Sequence, residues 1–69
     1  MIEKAVLKSF NSIDYTATIM LNGSYKTPMG KVTVAHSITS AAMIGGRQVA
    51  VLFYDGYNSK DAVIIAVYD

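Results

Sequence analysis

The sequence predicts an all-β protein with a single domain spanning residues 1–69, folded as a small closed barrel of five strands with one short helical turn before the fourth strand. Short runs rich in Val, Ile, Thr, Tyr and Ala are separated by Asn, Gly, Asp and Ser, a pattern typical of strands joined by turns. A chain of 69 residues has room for one domain. Closing the sheet would remove the strand edges that a small β protein must otherwise protect.

The first two predicted strands are joined by a polar turn. The first strand covers residues 2–10, and the consecutive apolar residues 5–7 predict a bulge near its middle that turns both sets of side chains inward. Residues 11–14, Asn-Ser-Ile-Asp, supply turn chemistry. The second strand, residues 15–21, alternates cleanly between apolar and other side chains and places Tyr15 on the core side.

The remaining elements complete the predicted barrel. A loop at residues 24–30 leads into the third strand at 31–38, and residues 39–44 favour a short helical turn. The fourth and fifth strands are expected at residues 47–54 and 61–68. Three strands, a helical turn and two further strands form the element order of an OB-fold barrel.

The last two strands are apolar on both faces, and this feature carries the functional prediction. A strand with water on one side should alternate between apolar and polar residues. If Val51, Phe53 and Ile64 point inward, a second apolar set points outward. We expect that set to form an oligomer interface, made of Leu52, Tyr54, Val63, Ile65 and Val67. Alternatively, the helical turn at 39–44 covers this face within one chain.

The composition favours a homo-oligomer without cofactors. Apolar residues make up 52% of the chain and charged residues 16%, against about 25% charged in an average soluble domain. A small domain with so few charges is expected to bury apolar surface against another chain. Cysteine is absent and His36 is the single histidine, so neither a disulfide framework nor a thiolate or histidine zinc site is expected.

The ionisable residues form no catalytic pattern, and we expect a protein that is not an enzyme. Asp55 and Asp61 flank one loop and would have to approach each other to act as an acid–base pair or a cation site. Their loop does not match the calcium-binding pattern, so solvated acids are the favoured interpretation. Ser37 follows His36 but would point to the opposite face of a strand, which argues against a nucleophile–base pair.

Most of the chain resembles phage baseplate and tail OB modules. The stretch 43–56 (MIGGRQVAVLFYDG) is similar to their glycine turn, apolar strand and acidic-glycine loop, and 61–67 (DAVIIAV) is similar to their final strand. Family members usually carry an acid after the glycine, where this chain has Arg47. The resemblance implies a trimeric structural component of a virion tail, baseplate or particle, made in the cytoplasm and without catalytic residues.

A domain that binds single-stranded nucleic acid is the alternative function. OB barrels bind single strands with aromatic platforms and a basic groove. The net charge of +1 gives no reason to expect strong attraction to phosphates, and Tyr15 belongs with the core residues.

One loop is expected to face a partner, whichever function holds. Its residues are Tyr25, Lys26 and Pro28, with Lys31 at the start of the next strand. Limited proteolysis should therefore cut after Tyr25 or Lys26 before any strand. A membrane partner is not expected, because the longest apolar runs, 49–54 and 62–68, fall far short of the roughly 20 residues that span a bilayer.

Overall fold

The computed structural model describes residues 1–21, 28–54, 56 and 59–68 and confirms the predicted closed five-stranded barrel. The strands neighbour one another in the order β1-β2-β3-β5-β4, and β4 closes onto β1. Only the β3–β5 contact is parallel among the described strand pairs. The strands are β1 (Ile2–Asn11), β2 (Thr16–Leu21), β3 (Met29–Val34), β4 (Gln48–Phe53) and β5 (Ala62–Tyr68).

Alternate residues of the strands fill the barrel with one apolar core. Phe53, Leu7 and Ile19 are the largest of the fully buried side chains. No charged or polar residue is buried among the described residues. The core consists of Ala5, Leu7, Ala17, Ile19, Val32, Val34, Met43, Val49, Val51, Phe53, Ala62 and Ile64.

The bulge predicted in β1 is present, but it lies later than the sequence indicated. Ala5 and Leu7 are buried and Val6 is half-buried, so the apolar run alternates as an ordinary strand does. The ladder to β2 shifts between Leu7 and Ser9, which leaves Lys8 as the extra residue. Beyond this shift Phe10 packs against the core.

The third strand is displaced from its predicted bounds. It begins at Met29, inside the expected loop, and ends at Val34. Its pairing with β5 extends only to Ile64, whose carbonyl accepts the N–H of Ala35, and the chain then turns away. His36 therefore lies exposed in a turn, and the prediction that it belongs to a strand face was wrong.

Two short 3-10 turns precede the last two strands. The first, Ser40–Ala42, confirms the predicted helical turn in a shorter form. Thr39 occupies its N-cap position, yet its side chain makes no capping hydrogen bond. The second, Ser59–Asp61, lies in the loop before β5. In the described part of the chain, no helix has the length and apolar character needed to cross a membrane.

Candidate functional site: the outer face of β1, β4 and β5

Three rows of outward-facing residues cross β1, β4 and β5. In the first row, Ile2 pairs with Leu52, which pairs with Val63. Cross-strand partners share a face of the sheet, and Phe53, which follows Leu52 on β4, is buried in the core. All three residues of this row therefore point away from the core.

The second and third rows continue the same face. Lys4 pairs with Ala50, which pairs with Ala66. The third row runs from Met20 on β2 through Val6, Gln48 and Tyr68. Lys4 is the single charged residue in these rows of described residues. We call the apolar members of the surface on β1, β4 and β5 the outer patch: Ile2, Val6, Ala50, Leu52, Val63, Ile65, Ala66 and Tyr68.

A bulge in β5 changes which of its residues belong to this face. The β4–β5 ladder pairs Val51 with Ile64 but Ala50 with Ala66, so Ile65 is an extra residue on β5. An extra residue exchanges the two faces of the strand beyond it. The prediction that Val67 faces outward was therefore wrong, because Val67 pairs with buried Val49 and packs against the core.

The same bulge adds Ala66 and Tyr68 to the outer face, whereas regular alternation from inward Ile64 would place both of them inside. Ala66 is exposed, and Tyr68 exposes 39% of its surface. Ile65, at the bulge itself, also exposes 39%. Leu52 and Val63 are half-buried on the outer side, in agreement with the sequence prediction of their orientation.

Two apolar residues extend this surface at the end where β1 starts and β4 stops. Ile2 exposes 61% and Tyr54 exposes 71% of their surfaces. Ile2 was absent from the predicted set, although its alternation with Lys4 and Val6 could have indicated it. The ammonium group of Met1 donates a 2.9 Å hydrogen bond to the Phe53 carbonyl and holds the start of β1 against β4.

The first 3-10 turn lies at the other end of β4. Met43 enters the core, Gly46 donates its N–H to the Leu7 carbonyl, and Arg47 donates from Nη1 to the Ala42 carbonyl. These contacts tie the turn to the region where the middle of β1 meets the start of β4. The row formed by Ile2, Leu52 and Val63 is at the opposite end of this pair of strands.

An open groove of about 230 Å³ lies on the other side of the barrel. The side chain of Asp14 accepts a hydrogen bond of 2.8 Å from the Thr16 hydroxyl, and Asn11 accepts one of 2.9 Å from the Ile13 N–H. Lys31 is exposed and supplies the groove's one cationic side chain among the described residues. The lining residues are Ser9, Phe10, Asn11, Asp14, Thr16, Ala17, Thr18 and Lys31.

Tyr15 is a packing residue and not an exposed stacking platform. It is half-buried, and its ring packs edge-on against Phe10 and against His36, with centroids 5.1 Å and 5.4 Å away. The Tyr15 hydroxyl donates a hydrogen bond to the carbonyl of Ile38. The sequence prediction that Tyr15 belongs with the core residues is confirmed.

No family model, curated protein or solved structure matches this chain. The resemblance to phage baseplate and tail modules therefore has no support from these comparisons and stays a hypothesis. The fold itself rests on the strand order and pairing described above.

The other predicted sites fall partly outside the described residues. Tyr25 and Lys26 of the partner-facing loop lie there, while Pro28 is described and exposed. Lys31 is exposed too and lies in β3, which begins two residues earlier than predicted. Asp55 also lies outside the described residues, so its approach to exposed Asp61 stays untested. Within the described part of the chain, no three His, Asp or Glu side chains are grouped to hold a metal ion.

Proposed function

We propose that this protein is a non-enzymatic structural or assembly module that associates with further copies of itself through the outer patch. The observation that carries the proposal is the three-strand outer surface, on which Ile2, Leu52, Val63, Ile65 and Tyr68 lie in rows whose described members include one charged residue, Lys4. Apolar patches of this kind mark protein interaction sites.

A second copy suits this surface because two outer patches are complementary in chemistry. In a twofold arrangement the outer patch of one copy packs against the outer patch of the other. Because the patch is nearly uncharged, this packing does not bring rows of like charges together. A standard interface buries about 800 Å² per partner, which is roughly a fifth of the 4281 Å² that one copy exposes. A few apolar side chains per copy, at about 25 cal/mol per Å², supply several kcal/mol to association.

The resemblance to phage tail and baseplate modules extends the proposal to the assembly in which the protein acts. In that setting the barrel is a component of a virion tail, baseplate or particle, and its partners are copies of itself and other structural proteins. The proposed self-association does not depend on this setting.

The test is the double substitution Leu52→Lys with Ile65→Lys. Two ammonium groups in the patch would have to be desolvated on association, so the variant is expected to become monomeric or to unfold. Wild-type protein should show a mass above that of one chain in light scattering and a melting temperature that rises with protein concentration.

The matched control adds the same two charges elsewhere. Ile13 and Ile44 are exposed by 95% and 53% and lie outside the outer patch, so Ile13→Lys with Ile44→Lys should keep the wild-type mass. A folded wild-type monomer at high micromolar concentration would rule out the proposal.

Single-stranded nucleic-acid binding is the second candidate, and the groove at Lys31 is the observation that favours it. Ser9 and Thr18 accompany this cation in the groove, while the Thr16 hydroxyl donates its hydrogen bond to Asp14, and side-chain hydroxyl groups contact phosphates and sugars. Titration with labelled oligonucleotides at low and high salt tests it, because phosphate-driven binding weakens as salt rises. Lys31→Ala should then reduce affinity. Absence of binding at low salt would exclude this function.

A further inference from the structure

In the described part of the chain, the C-terminal half of β5 has a backbone edge with no strand beside it on the side away from β4. The parallel pairing of β3 with β5 consists of Thr33 with Val63 and Val34 with Ile64, and the Ala35 N–H bonded to the Ile64 carbonyl ends it. Beyond that point β5 continues to Tyr68, and among the described strands it pairs there only with β4. Among the described residues, no backbone hydrogen bond reaches β5 after Ile64 from the segment that follows β3.

The hydrogen-bond alternation of β4 shows which groups of β5 face this edge. Phe53 exchanges both backbone bonds with Met1, so it points toward β1, and the N–H of Tyr54 bonds to Asp61, so it points toward β5. By alternation Gln48 and Ala50 also point toward β5, which makes Gln48–Tyr68 and Ala50–Ala66 hydrogen-bonded pairs. Val67, between Ala66 and Tyr68, therefore directs its N–H and C=O away from β4.

We infer that this edge is a second self-association site, at which β5 of one copy pairs antiparallel with β5 of another about a twofold axis at Val67. The inference goes beyond the outer patch, because an edge contact lies in the plane of the sheet whereas the patch contact is perpendicular to it. One copy is thus able to use both surfaces at once.

The side chains of β5 match in this register. Val67 meets Val67 of the second copy in a hydrogen-bonded pair, and each Ala66 meets the Tyr68 of the other copy, so residues of the same face lie together. On the outer side of this contact, the small side chain of Ala66 leaves room for the large side chain of Tyr68 from the other copy. A register shifted by one residue would set outward Ala66 against inward Val67.

The composition of β5 itself also favours a second copy at this edge. From Ala62 to Tyr68 the strand contains neither a charged residue nor proline, the features with which natural proteins usually protect an edge. Lys4 of the two copies would be five strand spacings apart, at most about 24 Å at ~4.8 Å each because both sheets curve. That separation exceeds the Debye length of about 8 Å at physiological ionic strength, so their repulsion is screened.

Cysteine cross-linking tests the register directly. The protein has no cysteine, so Ala66→Cys and Tyr68→Cys each introduce a single thiol. The proposed pairing places these positions opposite each other as a non-hydrogen-bonded pair, with Cα atoms about 4.5 Å apart, within the range that a disulfide bridges. On mild oxidation, a mixture of the two variants should form the mixed dimer several-fold faster than either variant cross-links with itself.

A proline substitution tests the backbone contact. Val67→Pro and Val67→Ala both remove apolar packing, but only proline also removes the outward N–H, for which no backbone acceptor is found among the described residues. Val67→Pro should have a lower mass in light scattering than Val67→Ala at equal concentration. If Val67→Pro does not fold, the cross-linking experiment alone decides, since both cysteine variants keep every backbone N–H.

The results separate this inference from the proposed function. The edge contact would be overturned if each cysteine variant cross-linked with itself as fast as with the other variant. It would also be overturned if folded Val67→Pro and Val67→Ala had equal masses. If the edge contact were overturned in this way and the Leu52→Lys, Ile65→Lys protein no longer associated, the outer patch would be the sole interface. Preferential mixed cross-linking in a protein whose association survives those two lysines would establish the edge and remove the patch.

Discussion

The hydroxyl of Tyr15 donates a hydrogen bond to the backbone carbonyl of Ile38 and so joins the β1–β2 turn to the segment that leaves β3. The two residues are 23 positions apart in the chain. Tyr15 has a positive φ of 56°, a backbone conformation that costs a residue with a side chain about 1–2 kcal/mol. The edge-on contacts of its ring with Phe10 and His36 and this hydrogen bond help to offset that cost.

Tyr15→Phe should destabilise the barrel by about 1 kcal/mol, because it removes the hydrogen bond to Ile38 and keeps the ring. Chemical denaturation measures the change. Tyr54→Phe is the matched control, since Tyr54 is exposed by 71% and should lose less than about 0.5 kcal/mol. Equal effects of the two substitutions would show that the Tyr15 hydroxyl contributes nothing to folding.

Gly46→Ala should destabilise the protein by about 1–2 kcal/mol, the cost of a side chain in a left-handed conformation. Gly46 has a φ of 95°, and no atom of the described residues lies within 4 Å of the Cβ that alanine would add, so strain and not crowding is the cause. Gly30→Ala serves as the control, because among the described residues its added Cβ meets the Thr18 hydroxyl alone, at an ordinary contact distance of 3.9 Å. Thermal unfolding of both variants should show the larger loss for Gly46→Ala.

Lys31→Gly should stabilise the barrel by about 0.5–1 kcal/mol. Glycine adopts the left-handed φ without strain, and part of this gain is lost because glycine gives up more backbone entropy on folding. The φ of Lys31 is 56°, at the irregularity where β3 pairs with β2. Lys31→Ala removes the charge but keeps the strain and should leave the melting temperature nearly unchanged. A stabilised Lys31→Ala would assign the effect to the charge instead.

Substitutions in β5 check the exchange of faces beyond the bulge. Val67→Ser should cost about 1–3 kcal/mol, because it places a hydroxyl where Val67 packs against the core. Ala66→Ser changes an exposed residue and should cost less than about 0.5 kcal/mol. Urea unfolding at a single protein concentration compares them. A larger loss of stability for Ala66→Ser than for Val67→Ser would show that β5 alternates regularly, as the sequence suggests, with Ala66 inside and Val67 outside.

The sequence was sufficient to predict the barrel because its signals are local and repeated. The alternation of Val49, Val51 and Phe53, for example, identifies their inward face through its period of two residues, and their burial confirms it. The short turn that precedes β4 follows in the same way from residues 39–46 and their glycines.

The features that the sequence could not predict depend on pairing between strands. An extra residue such as Ile65 looks regular in the sequence, and it is recognisable only from its partners Val51 and Ala50 on β4. The assignment of Val67 to the outer face was wrong for this reason, and Ala66 and Tyr68 were missed. His36 was likewise assigned to a strand because nothing local indicates that pairing with β5 stops at Ile64.

The extra residue Ile65 also makes β5 tolerant of a change in length. If Ile65 were deleted, Ile64 would still pair with Val51, Ala66 with Ala50 and Val67 with Val49, and every remaining side chain would keep its face. A homologous chain one residue shorter here should therefore form the same barrel. Its alignment with this sequence needs a single gap at position 65, and in that chain the alternation of the last strand would indicate the two faces correctly.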